Sequence, residues 1–109
     1  MPASHANRWQ KDEDIFVAAL RLGTNFDWKQ IEVAFQSIFE GSTATKKDLE
    51  SRFNKNLKPQ LDIPREQRTV ADAIDDYRHY GRVTYPEDQV VVDKALEYLG
   101  SLDPEDRLW

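Results

Sequence analysis

The chain has no cysteine, one methionine, four glycines and five prolines in 109 residues. Without thiols it can form neither a disulfide nor a thiolate zinc site, which fits a reducing compartment. The glycines are scattered and build no Gly-rich phosphate loop and no nucleophile elbow. No run of 18 or more apolar residues occurs, so no segment is expected to span a membrane. Met1 to Arg8 holds no apolar stretch of the secretory-signal kind. There is no internal repeat and no low-complexity tract. Histidine is confined to His5 and His79. His79 falls at a helix end, where the dipole favours its charge. Asp72, Asp75 and Asp76 cluster without a glycine turn, which makes a poor calcium or magnesium loop. Surface pairing with Arg78 and Arg82 is the simpler expectation for them. These absences predict no catalysis, no metal, no cofactor and no small-molecule substrate.

What is abundant is aromatic surface and charge. Three Trp, four Tyr and five Phe give a small chain large units to bury. A fold of 50 to 60 residues is marginal alone, because little of its surface can be removed from water. The net charge of −5 is unevenly spread. Residues 1–58 carry nine Lys/Arg against eight Asp/Glu, whereas residues 59–109 carry six against twelve. Such asymmetry predicts two tasks for two halves.

Hydrophobic periodicity marks five helices and no strand. The first, from about Lys11 to Leu22, opens on Asp12-Glu13-Asp14, which suits the positive end of the dipole. Ile15, Phe16, Ala19 and Leu20 form its apolar face, and Gly23 is read as its C-cap. Asp27, with Gln30 three residues on, forms a capping box for the second. Trp28, Ile31, Phe35 and Ile38 line that helix. The third is expected from Thr45 to Lys58, stopped by Pro59, with Leu49, Phe53 and Leu57 as its stripe. Its remaining face is largely basic. A fourth helix is expected from about Arg65 to Tyr80 with Gly81 as the stop. A fifth opens at Tyr85-Pro86 and carries Val91, Ala95, Tyr98 and Leu99. Leu102 to Trp109 forms an acidic tail with an apolar end. Val90-Val91-Val92 and Leu108-Trp109 are candidates for a partner-facing surface.

The opening Arg8-Trp9-Gln10-Lys11-Asp12-Glu13-Asp14 resembles the Trp-Thr-x-Glu-Glu-Asp start of Myb repeats. Trp28 follows Trp9 at close to the family's tryptophan spacing. Arg52-Phe53-Asn54-Lys55-Asn56-Leu57-Lys58-Pro59 resembles the family's Arg-Trp-x-Asn-His-Leu-Asn-Pro ending, with Phe53 as the third aromatic. The likeness to the Myb/SANT family covers about residues 8–59. It implies a three-helix helix-turn-helix domain over 8–59; the periodicity and charge of 60–109 add a two-helix acidic extension, packed on that domain or partner-binding, for an all-α chain.

In that family the third helix lies in the major groove. Carried over by position, Lys47, Glu50, Ser51, Asn54 and Lys55 would reach base edges, and Lys46, Arg52 and Lys58 would meet phosphates. Lys55 and Lys58 replace two asparagines of the family's ending, so no sequence preference transfers. The resemblance thus implies a nuclear protein contacting double-stranded DNA through helix three, within a chromatin or regulatory complex. The alternative is a SANT-like module that binds a histone tail or a complex subunit and no DNA. For that reading the acidic half supplies the contact residues: Asp72, Asp75, Asp76, Leu108 and Trp109.

Overall fold

The structure is a computed structural model that describes residues 9–60 and 64–108. Helix α1, Lys11–Gly23, sits at its centre. Its neighbours are α2 (Trp28–Ile38), α4 (Val70–Tyr80), α5 (Gln89–Gly100) and the end of the third helix. A one-sided apolar face, as periodicity predicts, would not serve so many partners. Ile15, Val17, Ala18, Ala19 and Leu20 are all buried. Residues of α4 and α5 (Ala71, Ile74, Val91, Ala95) join Phe35, Leu49 and Phe53 in the same core. The two halves therefore share one interior.

Gly23 differs from its expected role. It is the last helical residue rather than a left-handed cap, and it is buried. A Cβ there would lie 2.6 Å from Leu99 Cδ1, so any larger residue would force the buried Leu99 side chain of α5 to shift. Thr24 ends the helix instead, its hydroxyl donating to the Leu20 carbonyl. Gly81 meets its expectation, closing α4 at φ +70°.

The first turn of α1 distributes its three carboxylates. Glu13 accepts from the Gln10 backbone N–H at 2.8 Å and closes the helix start. Both oxygens of Asp14 accept from one edge of the Arg52 guanidinium, from Nε at 2.9 Å and Nη2 at 2.8 Å. Asp12 reaches Lys94 of α5 at 3.3 Å. Helix α2 starts at the expected box, Asp27 accepting from Gln30 N–H and Gln30 accepting from Asp27 N–H. Trp9 meets Phe35 edge-on, Phe35 stacks on Phe39, and Phe39 meets Phe16, which meets Tyr98. This line of rings joins the entry of α1 to α5, while Trp28 packs separately against Phe53.

The third helix is two windings. Helix α3 proper, Lys46–Arg52, is capped by Thr45, with Asp48 returning the bond. Phe53–Leu57 then widens into a π turn, where Lys58 N–H donates to Phe53 O at 2.6 Å. Pro59 has no N–H for the Lys55 carbonyl, so the helix does not continue beyond Lys58. The wider turn still brings both Phe53 and Leu57 into the core.

Helix α4 begins five residues later than expected. After Pro64, Arg65–Gln67 make one 3-10 turn, and Thr69 is the true N-cap, with Asp72 completing the box. Helix α5 follows a 3-10 turn at Pro86–Asp88 and buries Val91, Val92, Ala95 and Leu99. The tail returns to α1: Asn25 N–H donates to Asp106 O at 3.1 Å and Leu108 N–H to Gly23 O at 2.9 Å. Thr24 and Arg107 form an antiparallel bridge, and no strand occurs among the described residues. No helix among them is long and apolar enough to cross a membrane.

Candidate nucleic-acid interface

Thr45 and Asp48 fix where α3 starts, and Leu49, Phe53 and Leu57 fix which side faces inward. What remains outward is Lys46, Lys47, Glu50, Asn54, Lys55 and Lys58, all exposed, with Ser51 half-buried between them. Lys47, Ser51 and Lys55 stand at i, i+4 and i+8 and share one line. Among the described residues no hydrogen bond or ion pair engages the side chains of Lys47, Lys55 or Lys58. The acidic half does not cover them.

Trp9, Lys47, Asp48, Ser51, Arg52, Lys55 and Asn56 line one groove, so the Asp48 carboxylate sits among its cations. Sequence reasoning assigned Trp9 to the core alone and left Asn56 out. Their signal was available, because Asn56 follows Lys55 on a polar stretch and Trp9 lies next to a helix start.

Two expected contacts are placed differently. Arg52 is held by Asp14 and lies 5.8 Å from the centre of the Trp9 ring. The Asp14 carboxylate raises its pKa above the usual guanidinium value. Arg52 therefore joins α3 to α1 through Nε and Nη2. Lys46 uses its backbone N–H to donate to Glu32 of α2 at 2.6 Å. Glu32 also accepts from Lys29 at 2.8 Å, and this bond, with the one from Lys46, holds its carboxyl below the ordinary 4.5. The Lys46 side chain remains outward.

The proposed partner-binding acids also separate. Asp72 is 3% exposed. It accepts from Gln60 N–H at 2.9 Å, Thr69 N–H at 2.7 Å and the Thr69 hydroxyl at 3.0 Å. It clamps the segment after the third helix to the start of α4, and it cannot serve as a docking surface. Asp76 bonds Arg68 and the Thr84 hydroxyl, and Asp75 pairs with His79 at 3.3 Å. The expected partners Arg78 and Arg82 are exposed and take no part. Val91 and Val92 are core, while Val90 and Leu108 keep 63% and 50% of their surface exposed. Trp109 lies outside the described residues, as do Arg8 and His5. No group of three or more His, Cys, Asp or Glu among the described residues is arranged to hold a metal ion. No family model, curated protein or solved structure matches the chain.

Proposed function

We propose that the chain contacts duplex DNA through the outward face of its third helix, as a nuclear component of a regulatory or chromatin complex. The observation that carries this reading is the set of exposed, unpaired lysines, Lys47, Lys55 and Lys58, on a helix whose inner face is fixed. The Myb-like residues at both ends of 8–59 support it. Lys47 and Lys55 are eight residues apart, roughly 12 Å along an α-helix axis, close to the width of a major groove. One helix can thus address phosphates on both walls. Glu50 opposes phosphate and favours an orientation that points it at a base edge.

In this reading Lys47 and Lys55, which the resemblance assigned to base edges, join Lys46 and Lys58 as phosphate contacts, and four counterions are released. The logarithm of the affinity should then fall with the logarithm of salt at a slope of about −3.6. The test is duplex binding by the full chain across a salt series. A joint Lys47→Glu, Lys55→Glu change should abolish binding with no loss of folded structure. If wild type and double variant bind alike, helix three is not the DNA surface.

A second reading, a protein-binding module of the SANT kind, is favoured by the acids that remain outward: Asp93, Glu97, Asp103 and Glu105. These would meet a basic peptide such as a histone tail. Reversing Glu97, Asp103 and Glu105 should then release such a peptide, while reversing Lys47 and Lys55 should leave it bound.

A further inference from the structure

A second cationic site lies away from the groove of helix three. The first residue of α1, the segment before α4 and the start of α5 enclose a pocket of about 240 Å³. A water occupies about 30 Å³ of liquid, so the space admits a larger group. Lys11, Arg65 and Arg68 line it, together with Tyr85 and Asp88. The two guanidiniums lie 4.3 and 5.4 Å from the centre of the Tyr85 ring, within reach of its face.

Arg68 uses Nη2 to bond Asp76, but its Nε is buried and has no partner. A buried cationic N–H left unmatched is costly, and native folds supply an acceptor for such groups. Arg65 is paired with Glu87, yet both side chains are half exposed. An exposed pair of that kind is weak and exchanges readily for a stronger acceptor. Three cations converging on a polar pocket, with one donor unfilled, fit a group that is multiply negative and rich in acceptor oxygens.

We propose that this pocket binds a phosphate group, whose oxygens accept from the Arg65, Arg68 and Lys11 side chains. Glu87 is displaced from Arg65 on binding. Asp88, on the pocket wall, opposes the ligand and sets its affinity. The site stands independently of the helix-three reading. The phosphate could come from a free phosphorylated compound or from the backbone of a nucleic acid, since the chemistry is shared.

The test follows the Arg68 Nε–Hε resonance of the full chain while inorganic phosphate is added, against chloride at matched ionic strength. A saturable shift with phosphate and none with chloride is expected. Arg65→Gln should weaken binding about tenfold, the loss of one charge-assisted contact. Asp88→Asn should tighten it severalfold, a gain that damage to the fold cannot mimic. A short duplex added in a second titration identifies the source. Movement of the same resonance assigns backbone phosphate, and movement with phosphate alone assigns a free compound. Either outcome supports the site. A resonance that stays still, that follows chloride equally, or whose phosphate response is unchanged in both variants overturns it.

Discussion

Helices α3 and α4 each carry a dense cluster of one charge, and the fold treats the two clusters oppositely. On α3 and its π turn, Lys47, Lys55 and Lys58 point to solvent and only Arg52 is drawn inward, to Asp14. On α4, Asp72 is buried, Asp76 is shared by Arg68 and Thr84, and Asp75 pairs with His79. The difference follows from what lies within reach. A carboxylate three residues past a threonine N-cap finds unpaired backbone N–H groups, and taking them stabilises the helix start. Lys47 in the first turn of α3, Lys55 in the π turn and Lys58 just after it have no carboxylate partner among the described residues and stay in water. Formal charge in a sequence is therefore a poor map of surface charge, because acids at helix starts are consumed internally.

The comparison can be broken most severely by removing residues 60–109. If α4 is part of the shared interior, loss of Ala71, Ile74, Val91 and Ala95 exposes Val17, Ala18 and Leu20 to water. The fragment 1–59 is then expected to show no cooperative thermal transition. A fragment that folds stably would mean that the helix-three half is self-sufficient. Next in size is Asp72→Ala, which strands three donors and removes a cap. It should cost about 3 kcal/mol. The melting temperature should drop by roughly 10 °C or more. Asp75→Ala, in the same cluster but outward, should change stability by less than about 0.5 kcal/mol. Equal effects of the two would dissolve the distinction between internal and external acids on α4.

Within α3, Arg52→Ala should cost about 2 kcal/mol, since it breaks a two-point bond between partly buried groups. Lys55→Ala should alter stability by no more than about 0.5 kcal/mol while weakening duplex binding. Urea unfolding of the two variants side by side separates the roles. The smallest effect concerns the edge between α2 and α3. Glu32 titrates below its ordinary value when folded, so its contribution is complete above 4.5 and disappears as pH falls through the lowered folded value. Glu32→Gln should remove a small acid-side loss of stability, seen by comparing unfolding at pH 6 and pH 3. An unchanged acid limb would show that neither the Lys46 bond across the α2–α3 edge nor the Lys29 bond within α2 contributes to stability.

Much of the helical pattern could be read in advance where a local rule decides it. Asp27 with Gln30, Thr45 as a cap and Gly81 as a stop each depend on neighbours within four residues. Thr69-Val70-Ala71-Asp72 carries the same box signature and marks the true start of α4, yet the polar run from Arg65 drew the expected boundary five residues early. Gly23 could not be read correctly, because its role depends on Leu99, far away in sequence. The extra burial of α1 was hidden for the same reason: Val17 and Ala18 lie off the face that periodicity selects, and only α4 and α5 account for them. For the candidate interface, the outward lysines follow from the helix phase. Arg52 does not, since its carboxylate partner lies on another helix, and neither does the pocket at Lys11, which gathers three separate starts of helices.

The fork between Arg52 and Asp14 has a consequence for how any ligand is held. It makes the floor beneath helix three rigid, whereas the lysines rising from that floor keep nearly all their rotamers. Each one immobilised forfeits up to about 2 kcal/mol of side-chain entropy. Contacts of this kind favour partners that let the lysine tips keep moving, as a row of equivalent phosphates does, over partners that demand one fixed pose. The rigidity sits in the platform and the adaptability in the side chains, a division suited to grip rather than to discrimination.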